Sequence, residues 1–190
     1  MGSTVGEMLW EEDQLCHTCR GKWIRAGSGH RFSGCRTEIL YLYNQDTASV
    51  LLQYKEMGDE ALKDVFLCRD RKRLSLKYRG STLVLMPSRE EKVRERGFPH
   101  LRKMFEQLDL PMLDCFEKTD PRDQKELSYE ERQTIVLKLK NVTLPEKIVL
   151  VDDVITTGAT MRAALSCVKD RCGSVRILAV FAVAGEHGIS

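Results

Sequence analysis

Two adjacent aspartates followed by a threonine-rich turn are the residues in this sequence best suited to chemistry. Asp152 and Asp153 follow the aliphatic run 148–151, which predicts a strand buried on both faces. The small-residue segment 156–160 comes next, and apolar residues then recur at helical spacing over 161–172. The order is therefore strand, acidic pair, turn and helix.

This turn has the chemistry of a phosphate site. Free N–H groups at a helix start attract an anion, and Gly158 lets the backbone approach that anion closely. Further hydroxyl donors come from three threonines of the turn: Thr156, Thr157 and Thr160. A carboxylate cannot be a phosphate ligand, but it accepts hydrogen bonds from sugar hydroxyls. The sequence therefore predicts a sugar phosphate ligand, with its ribose on the two aspartates.

The stretch 148–160 resembles the 5-phosphoribosyl-1-pyrophosphate (PRPP) binding motif of type I phosphoribosyltransferases. That motif is an aliphatic strand, two acidic residues, two hydrophobic residues and Thr-Thr-Gly-x-Thr, and every position of the stretch matches it. The resemblance implies Asp152 and Asp153 as catalytic residues and Mg²⁺ bound together with PRPP. It implies a PRPP site made of these two aspartates and the turn residues Thr156, Thr157, Gly158, Ala159 and Thr160.

A second charged stretch, 88–98, follows the predicted strand 82–86. Because it is charged and non-periodic, we interpret it as a loop over the strand end, suited to transient closure over a polyphosphate. A plain solvent-exposed loop is the alternative. We choose Arg96 from this stretch, and Lys55 from the turn at 55–58, as the residues for the pyrophosphate.

Three cysteines near the N-terminus have the spacing of half a zinc ribbon. Cys16 and Cys19 form a Cys-x-x-Cys knuckle, and Cys35 lies at the distance where a second pair usually begins. The fourth ligand is missing from that second pair. The candidates that remain open are a cysteine lost upstream, Glu38, His17 and His30. The alternative interpretation is a degenerate knuckle that binds no zinc.

Composition and charge favour a cytoplasmic protein without membrane insertion. The 190 residues suffice for one domain, or one domain with a small appendage. Charged residues make up 31% of the chain, and no apolar run approaches the roughly 20 residues of a membrane helix. The seven cysteines are an odd number and no signal segment precedes them, which is typical of a reducing compartment.

The basic segment 69–79 has two interpretations. Its cations are Arg69, Arg71, Lys72, Arg73, Lys77 and Arg79, and Asp70 is its only acid. A solvated helix end favoured by the helix dipole is one interpretation. Contact with a polyanion is the other.

Strands that alternate with helices predict an α/β fold with a mostly parallel sheet and helices on both faces. We divide the chain into a degenerate zinc-ribbon-like module, 1–36, and a phosphoribosyltransferase-like domain, 37–190. Helix starts are expected at Asp46 or Thr47 and at Asp59. The capping box at 128–131 predicts a further helix, continuing through Leu139.

The order of segments is also similar to the late-competence ComF (ComFC-like) proteins over nearly the entire chain. The resemblance includes the cysteine-bearing N-terminus, Tyr54-Lys55-x-x-Gly58, Arg96-Gly97-Phe98 and the PRPP motif. Pro99-His100 stands where that family tends to have Asn-Gln. The resemblance implies a cytoplasmic role in the import of transforming DNA, with single-stranded DNA and a competence helicase as partners.

Two functions stay open at this point. A catalytic chain would transfer ribose 5-phosphate from PRPP to a nitrogen base through an oxocarbenium-like transition state. A binding module would keep the PRPP pocket and serve DNA uptake. The sequence does not identify an acceptor base.

Overall fold

The computed structural model describes residues 13–88, 90–118 and 137–184. Its strands are β1 Arg31–Phe32, β2 Cys35–Leu42, β3 Thr82–Leu85, β4 Met112–Leu113, β5 Phe116–Lys118, β6 Leu137–Leu139, β7 Lys147–Ile155 and β8 Ser174–Ala182. Its α-helices are α1 His17–Gly21, α2 Gln45–Lys55, α3 Arg71–Lys77, α4 Glu90–Arg96, α5 His100–Phe105 and α6 Ala159–Val168, and two 3₁₀ helices are Glu60–Val65 and Glu106–Leu108. Over these described ranges, no helix is both long and apolar enough to cross a bilayer.

The main sheet has six strands in the order β1-β2-β8-β7-β3-β4. All neighbours in it run parallel except β1 and β2, which are antiparallel. A second sheet consists of β5 and β6, paired antiparallel. The predicted fold class, a mostly parallel α/β sheet with helices, is confirmed.

Strand β7 lies in the interior of the sheet and carries the acidic pair at its carboxyl end. Val149 pairs with Leu83 of β3 on one side and with Arg176 of β8 on the other. The side chains of Val149, Leu150 and Val151 are completely buried. A parallel strand covered on both faces needs such a continuous aliphatic run, so the strand predicted at 148–151 is confirmed.

Helix α2 begins at a different cap from the one predicted. Asn44, rather than Asp46 or Thr47, is the N-cap, and its side chain accepts a hydrogen bond of 2.9 Å from the backbone N–H of Thr47. The hydroxyl oxygen of Thr47 accepts one of 2.8 Å in return from the Asn44 backbone N–H. This capping box fixes the start of the helix. The helix ends at Lys55, near the end of β7.

The charged stretch that we interpreted as a loop is largely helical. Helix α4 spans Glu90–Arg96 and carries basic residues in its last turn, where they complement the helix dipole. Lys92 and Glu95 form an ion pair of 3.3 Å one turn apart, and Gly97, with φ of 86°, follows the last helical residue. A short, mostly exposed helix has little apolar periodicity, which explains the wrong prediction.

Two other helix predictions need correction. Asp59 precedes a 3₁₀ helix and makes no side-chain cap, although an α-helix was expected there. Leu139 belongs to β6, so the helix predicted from 128 does not reach it, and the start of that helix lies outside the described residues. In β6, buried Leu137 is followed by exposed Lys138, which is strand alternation rather than helical spacing.

The described part of the N-terminal segment shares its core with the sheet. The ring of Trp23 lies 5.1 Å from the ring of Tyr41 on β2 and 5.3 Å from that of Phe181 on β8, measured between centroids. Such edge-on aromatic contacts stabilise a core beyond simple burial. The boundary that we drew after residue 36 falls inside β2.

Candidate sugar phosphate site

The turn between β7 and α6 has a backbone shaped for an anion. Gly158 is the N-cap of α6, with φ of 73° and no side-chain cap on the helix. The amide groups of the first helical turn are therefore largely left for a ligand. Thr156 and Thr157 are exposed beside them, although the Thr157 hydroxyl oxygen also accepts a 3.4 Å hydrogen bond from the Ala159 backbone N–H.

A buried aromatic ring lies directly against this turn. A Cβ atom added to Gly158 would lie 2.4 Å from Cζ of Phe32, a residue of β1 that is 1% exposed. Only glycine fits here, both because of this ring and because of the positive φ. Arg162 lies on the same side, with its guanidinium carbon 5.8 Å from the Phe32 ring centroid, and donates a 2.9 Å hydrogen bond to the Thr157 carbonyl oxygen. The N-terminal segment therefore helps to shape the turn.

The carboxylate of Asp153 is turned inward and fully partnered. Its Oδ2 atom accepts from the Lys55 ammonium at 2.6 Å and from Nε2 of His100 at 3.1 Å. Its Oδ1 atom accepts from the Val154 backbone N–H at 2.8 Å. Because Asp153 is 3% exposed, these partners offset the large cost of burying its charge.

The orientation of His100 follows from its other contacts. A guanidinium N–H of Arg96 donates to Nδ1 of His100 at 2.8 Å, so Nδ1 accepts and the ring proton resides on Nε2, facing Asp153. Arg96 also donates to the Lys55 carbonyl oxygen. The Tyr54 hydroxyl donates to the His100 carbonyl oxygen at 2.7 Å. These contacts join the end of α2, the start of α5 and the end of β7.

The pKa values of the two aspartates move in opposite directions. Burial alone would raise the pKa of Asp153, but the His100 hydrogen bond and the Lys55 charge outweigh it and hold that pKa well below its ordinary value. Burial and the negative charge of Asp153 raise the pKa of Asp152 well above its ordinary value. Burial also lowers the pKa of His100, against the pull of Asp153, so the ring is neutral at neutral pH.

Asp152 is the half-buried member of the pair. Successive side chains on a strand point to opposite faces, so the two carboxylates differ in their partners. The Oδ1 atom of Asp152 accepts a local hydrogen bond of 2.9 Å from the Asp153 backbone N–H, and the nearby Asp153 carboxylate disfavours its charge. Asp152 is therefore the carboxylate that can accept hydrogen bonds from a ligand beside the turn.

The structure brings most of the predicted residues to one end of β7. The exposed Thr156 and Thr157 of the turn and the half-buried Asp152 lie there, whereas Lys55 and Arg96 converge on the buried carboxylate of Asp153. Ribose contact by Asp153, and pyrophosphate contact by Lys55 and Arg96, stay predictions.

Sequence reasoning did not assign a role to three further residues: His100, Phe32 and Arg162. His100 was noted only as a departure from the ComF pattern. The position of Arg162 in the first turn of α6 was a usable signal, because a cation there lies beside the predicted phosphate. No local pattern indicates that Phe32 contacts a turn more than a hundred residues away.

The three cysteines of the predicted zinc site are all among the described residues, and none forms a disulfide. In the described part of the chain, no group of three or more His, Cys, Asp or Glu side chains is placed to hold a metal ion. Cys16 accepts a 3.4 Å hydrogen bond from the Cys19 backbone N–H, but Cys35 does not join them as a ligand set. Of the candidate fourth ligands, Glu38 is paired with Arg73 and Lys77. A zinc ion on Cys16, Cys19 and Cys35 therefore stays a prediction that this arrangement does not support.

Comparison with known proteins defines the class. The sequence profile of the phosphoribosyl transferase domain matches residues 93–188, about half the chain, including β7, the turn and α6. This chain therefore belongs to the phosphoribosyltransferase superfamily of type I fold.

Curated relatives place it more narrowly. Competence protein ComFC of Streptococcus pneumoniae is 31% identical over 159 residues, which cover 81% of this chain and 68% of that protein. Competence protein ComFC of Bacillus subtilis is 25% identical, covering 86% of this chain and 81% of that protein. The chain is a member of the ComFC-like family.

Solved phosphoribosyltransferases are more distant. A hypoxanthine phosphoribosyltransferase from Staphylococcus aureus aligns with a TM-score of 0.41 and 11% identity, covering 76% of this chain and 68% of the other. An adenine phosphoribosyltransferase from Leishmania donovani aligns with a TM-score of 0.39 and 14% identity, covering 84% of this chain and 75% of the other. The fold assignment rests on the sheet order and the family match.

The two aspartates should respond oppositely to neutralisation. At pH 7, Asp153→Asn should cost about 3 kcal/mol in the free energy of unfolding, since it leaves the Lys55 charge without its buried partner. Asp152→Asn should raise Tm by about 2–4 °C, because it removes a carboxylate that is costly to ionise. Thermal and urea unfolding of the two variants and the parent measure both effects.

Their pH dependence follows from the directions of the pKa shifts. The stability that Asp153 contributes is present above its unfolded pKa of about 3.9 and is lost as pH falls below that. Because the pKa of Asp152 is raised in the folded protein, ionised Asp152 destabilises the fold at pH values above its unfolded pKa of about 3.9. The gain in stability from Asp152→Asn should therefore shrink as the pH is lowered. Equal destabilisation by both variants at pH 7 would contradict this assignment.

The contact between Phe32 and Gly158 is testable with a double-mutant cycle. Gly158→Ala should destabilise the protein by about 2 kcal/mol, from left-handed strain and from the collision with the ring. Phe32→Leu should relieve the collision, so the double variant should be more stable than the sum of the single changes by about 1 kcal/mol.

Gly80→Ala is the matched control for that cycle. Gly80 has φ of 76° but nothing within 4 Å of an added Cβ atom, so alanine there adds only strain. Urea unfolding should show no coupling between Gly80→Ala and Phe32→Leu. Strict additivity of Gly158→Ala with Phe32→Leu would mean that the ring does not constrain the turn.

Proposed function

We propose that this chain binds PRPP at the turn after β7 and acts through that ligand in bacterial DNA uptake and natural transformation. The observation that carries the proposal is the helix start at Gly158, without a side-chain cap, beside the half-buried Asp152. Such a helix start binds a phosphate, and the carboxylate beside it binds a diol. PRPP carries both groups.

In the proposed complex the 5′-phosphate accepts hydrogen bonds from backbone amides and hydroxyls of the segment 156–160. Arg162 supplies a positive charge next to it, because its guanidinium already bonds to the Thr157 carbonyl oxygen. The ribose hydroxyls donate to Asp152. Asp153 acts mainly by positioning, since Lys55 and His100 hold its carboxylate in place.

Mg²⁺ is the cation proposed to accompany PRPP. It prefers oxygen ligands and retains several waters, so the protein needs to supply only one or two carboxylates. Asp152 fits the role of the protein carboxylate. When bound, the cation neutralises charge on the pyrophosphate.

The pyrophosphate is assigned to Lys55 and Arg96. Both are cationic and lie within one network at the end of β7, but both are engaged there, Lys55 with Asp153 and Arg96 with His100. The pyrophosphate would share the three donors of the Lys55 ammonium with the Asp153 carboxylate and recruit Arg96 from the same network. The contacts that hold Asp153 would then remain in the complex.

Membership of the phosphoribosyltransferase superfamily supports a second function, the transfer of ribose 5-phosphate to a nitrogen base. The side chains would then position the sugar while the bond from C1 to pyrophosphate breaks and a bond to nitrogen forms. Release of pyrophosphate in the presence of a base distinguishes the two functions.

The role in DNA uptake is supported by the two ComFC relatives, both of which are named competence proteins. Single-stranded DNA and a competence helicase are the proposed partners, and the cytoplasm is the proposed location. Binding to a DNA strand would depend on phosphate contacts, so its affinity should fall steeply with salt.

Calorimetric titration with PRPP tests the proposed site. The parent should bind PRPP in a Mg²⁺-dependent manner, and Asp152→Asn should weaken that binding about tenfold or more, since it removes charge-assisted hydrogen bonds to the ribose and cation. Asp114→Asn is the matched control, because Asp114 is an exposed carboxylate paired with Arg102. Its affinity for PRPP should equal that of the parent.

The outcomes separate the site from the biological role. Tight PRPP binding that survives Asp152→Asn would place the ligand elsewhere. Binding of a single-stranded oligonucleotide that does not weaken with salt would count against a phosphate-contacting DNA partner, while leaving the PRPP site untouched. Pyrophosphate release with a nucleobase, but not without one, would favour the transferase function.

A further inference from the structure

A second cavity, of about 350 Å³, lies beside strand β2 and shares no residue with the turn 156–160. Its walls come from the loop 25–30, from the first half of β2 and from helix α3 with the residue that precedes it. The volume is within the range of about 300–1,000 Å³ that is typical of small-molecule sites. The proposed PRPP function leaves this cavity without a role.

Two well-satisfied carboxylates form part of its wall. Glu38 accepts hydrogen bonds from Arg73, from Lys77 at 2.6 Å and from the Tyr78 hydroxyl at 2.8 Å. Asp70 accepts from Arg25 at 2.5 Å and twice from Arg73, at 2.8 and 3.2 Å. Each carboxylate thus uses most of its acceptor capacity, so neither is a good partner for a ligand cation.

The three cations of the cavity keep unused donors. The side chains of Arg25 and Arg73 are 49% exposed and that of Lys77 is 44% exposed, whereas Asp70 and Glu38 are 6% and 13% exposed. A guanidinium carries five N–H donors and an ammonium three, more than these carboxylates accept. The cavity is therefore net positive by one charge and rich in donors. A ligand that complements it must be an acceptor with negative charge.

The loop on the opposite wall leaves room for such a ligand. Gly27 and Gly29 have φ of 82° and 86°, and nothing lies within 4 Å of a Cβ atom added to either. Ser28 stands between them and is exposed. Glycines of this kind let a backbone approach a ligand without side chains in the way.

We propose that this cavity binds a small molecule through a phosphate group, with Arg25, Arg73 and Lys77 as its cationic contacts. A guanidinium group donates two parallel hydrogen bonds to a pair of phosphate oxygens. The buried carboxylates fix the orientation of the guanidinium groups, and the exposed N–H donors remain for the phosphate. The phosphate comes either from inorganic phosphate or from a mononucleotide. The remaining volume of the cavity favours the mononucleotide.

Substitutions at Ser28 test the proposal without breaking the ion pairs. Ser28→Glu places a negative charge in the cavity, and Ser28→Gln has nearly the same size without the charge. Titration calorimetry with AMP should show binding to the parent that Ser28→Glu weakens about tenfold and Ser28→Gln leaves within about threefold. Lys77→Gln should also weaken AMP binding, because it removes one cationic contact to the phosphate. The fold should stay intact, since Arg73 and Tyr78 still donate to Glu38.

Four further arms locate the ligand and its source. Adenosine, which lacks the phosphate, should not bind, and inorganic phosphate should bind more weakly than AMP. AMP also carries the 5′-phosphate and the ribose diol that the turn after β7 is proposed to bind, so the titrations are repeated in the Gly158→Ala background. The effects of Ser28→Glu and Ser28→Gln should persist there, because Gly158 lies outside the cavity. PRPP affinity should be equal in Ser28→Glu and the parent.

Three results would overturn the proposal. One is AMP binding that is lost in Gly158→Ala but kept in Ser28→Glu, which would place the phosphate on the turn after β7. Another is equal weakening by Ser28→Glu and Ser28→Gln, since charge would then play no part. The third is the absence of any phosphate or AMP binding to the parent in the millimolar range.

Discussion

The buried carboxylate of Asp153 is the constraint on which the rest of the site depends. Lys55 and His100 both donate to its Oδ2 atom, and Arg96 orients His100 from the other side of the ring. A negative charge at that depth is tolerable only because these partners come with it. Two distant parts of the chain, the end of α2 and the segment that joins α4 to α5, are thereby fixed against the end of β7.

The fixed, ionised carboxylate of Asp153 determines the electrostatic environment of Asp152. Asp152 is next to a carboxylate that stays ionised, so its own charge is disfavoured in the free protein. A sugar hydroxyl donor or a cation beside Asp152 would lower the free-energy cost of ionising its carboxylate. A carboxylate held at such a cost in stability is typical of a functional site.

The turn after β7 depends on a contact between residues that are far apart in the sequence. Gly158 satisfies its positive φ and leaves space for the ring of Phe32, which belongs to the N-terminal hairpin. The described N-terminal residues therefore support the site rather than standing apart from it. This arrangement gives that segment a structural reason to be present even without a metal ion.

Local patterns predicted the fold and the elements at the centre of the candidate site. The aliphatic run of β7, the glycine turn and the start of α6 are local features, and each was located from the sequence. The helix α4 was missed because exposed charged residues carry no periodicity. The inward turn of Asp153 was missed because its partners, Lys55 and His100, are distant in sequence and come together only in the fold.

The most direct test of the account is a titration of the ¹⁵N-labelled protein with ribose 5-phosphate, followed through the backbone amide resonances. Ribose 5-phosphate carries the phosphate and the diol without the pyrophosphate, so it probes the turn alone. The account predicts saturable shifts concentrated at the amides of 157–160 and at Asp152. Unchanged resonances there, with shifts only in the loop 25–30 or nowhere, would contradict it.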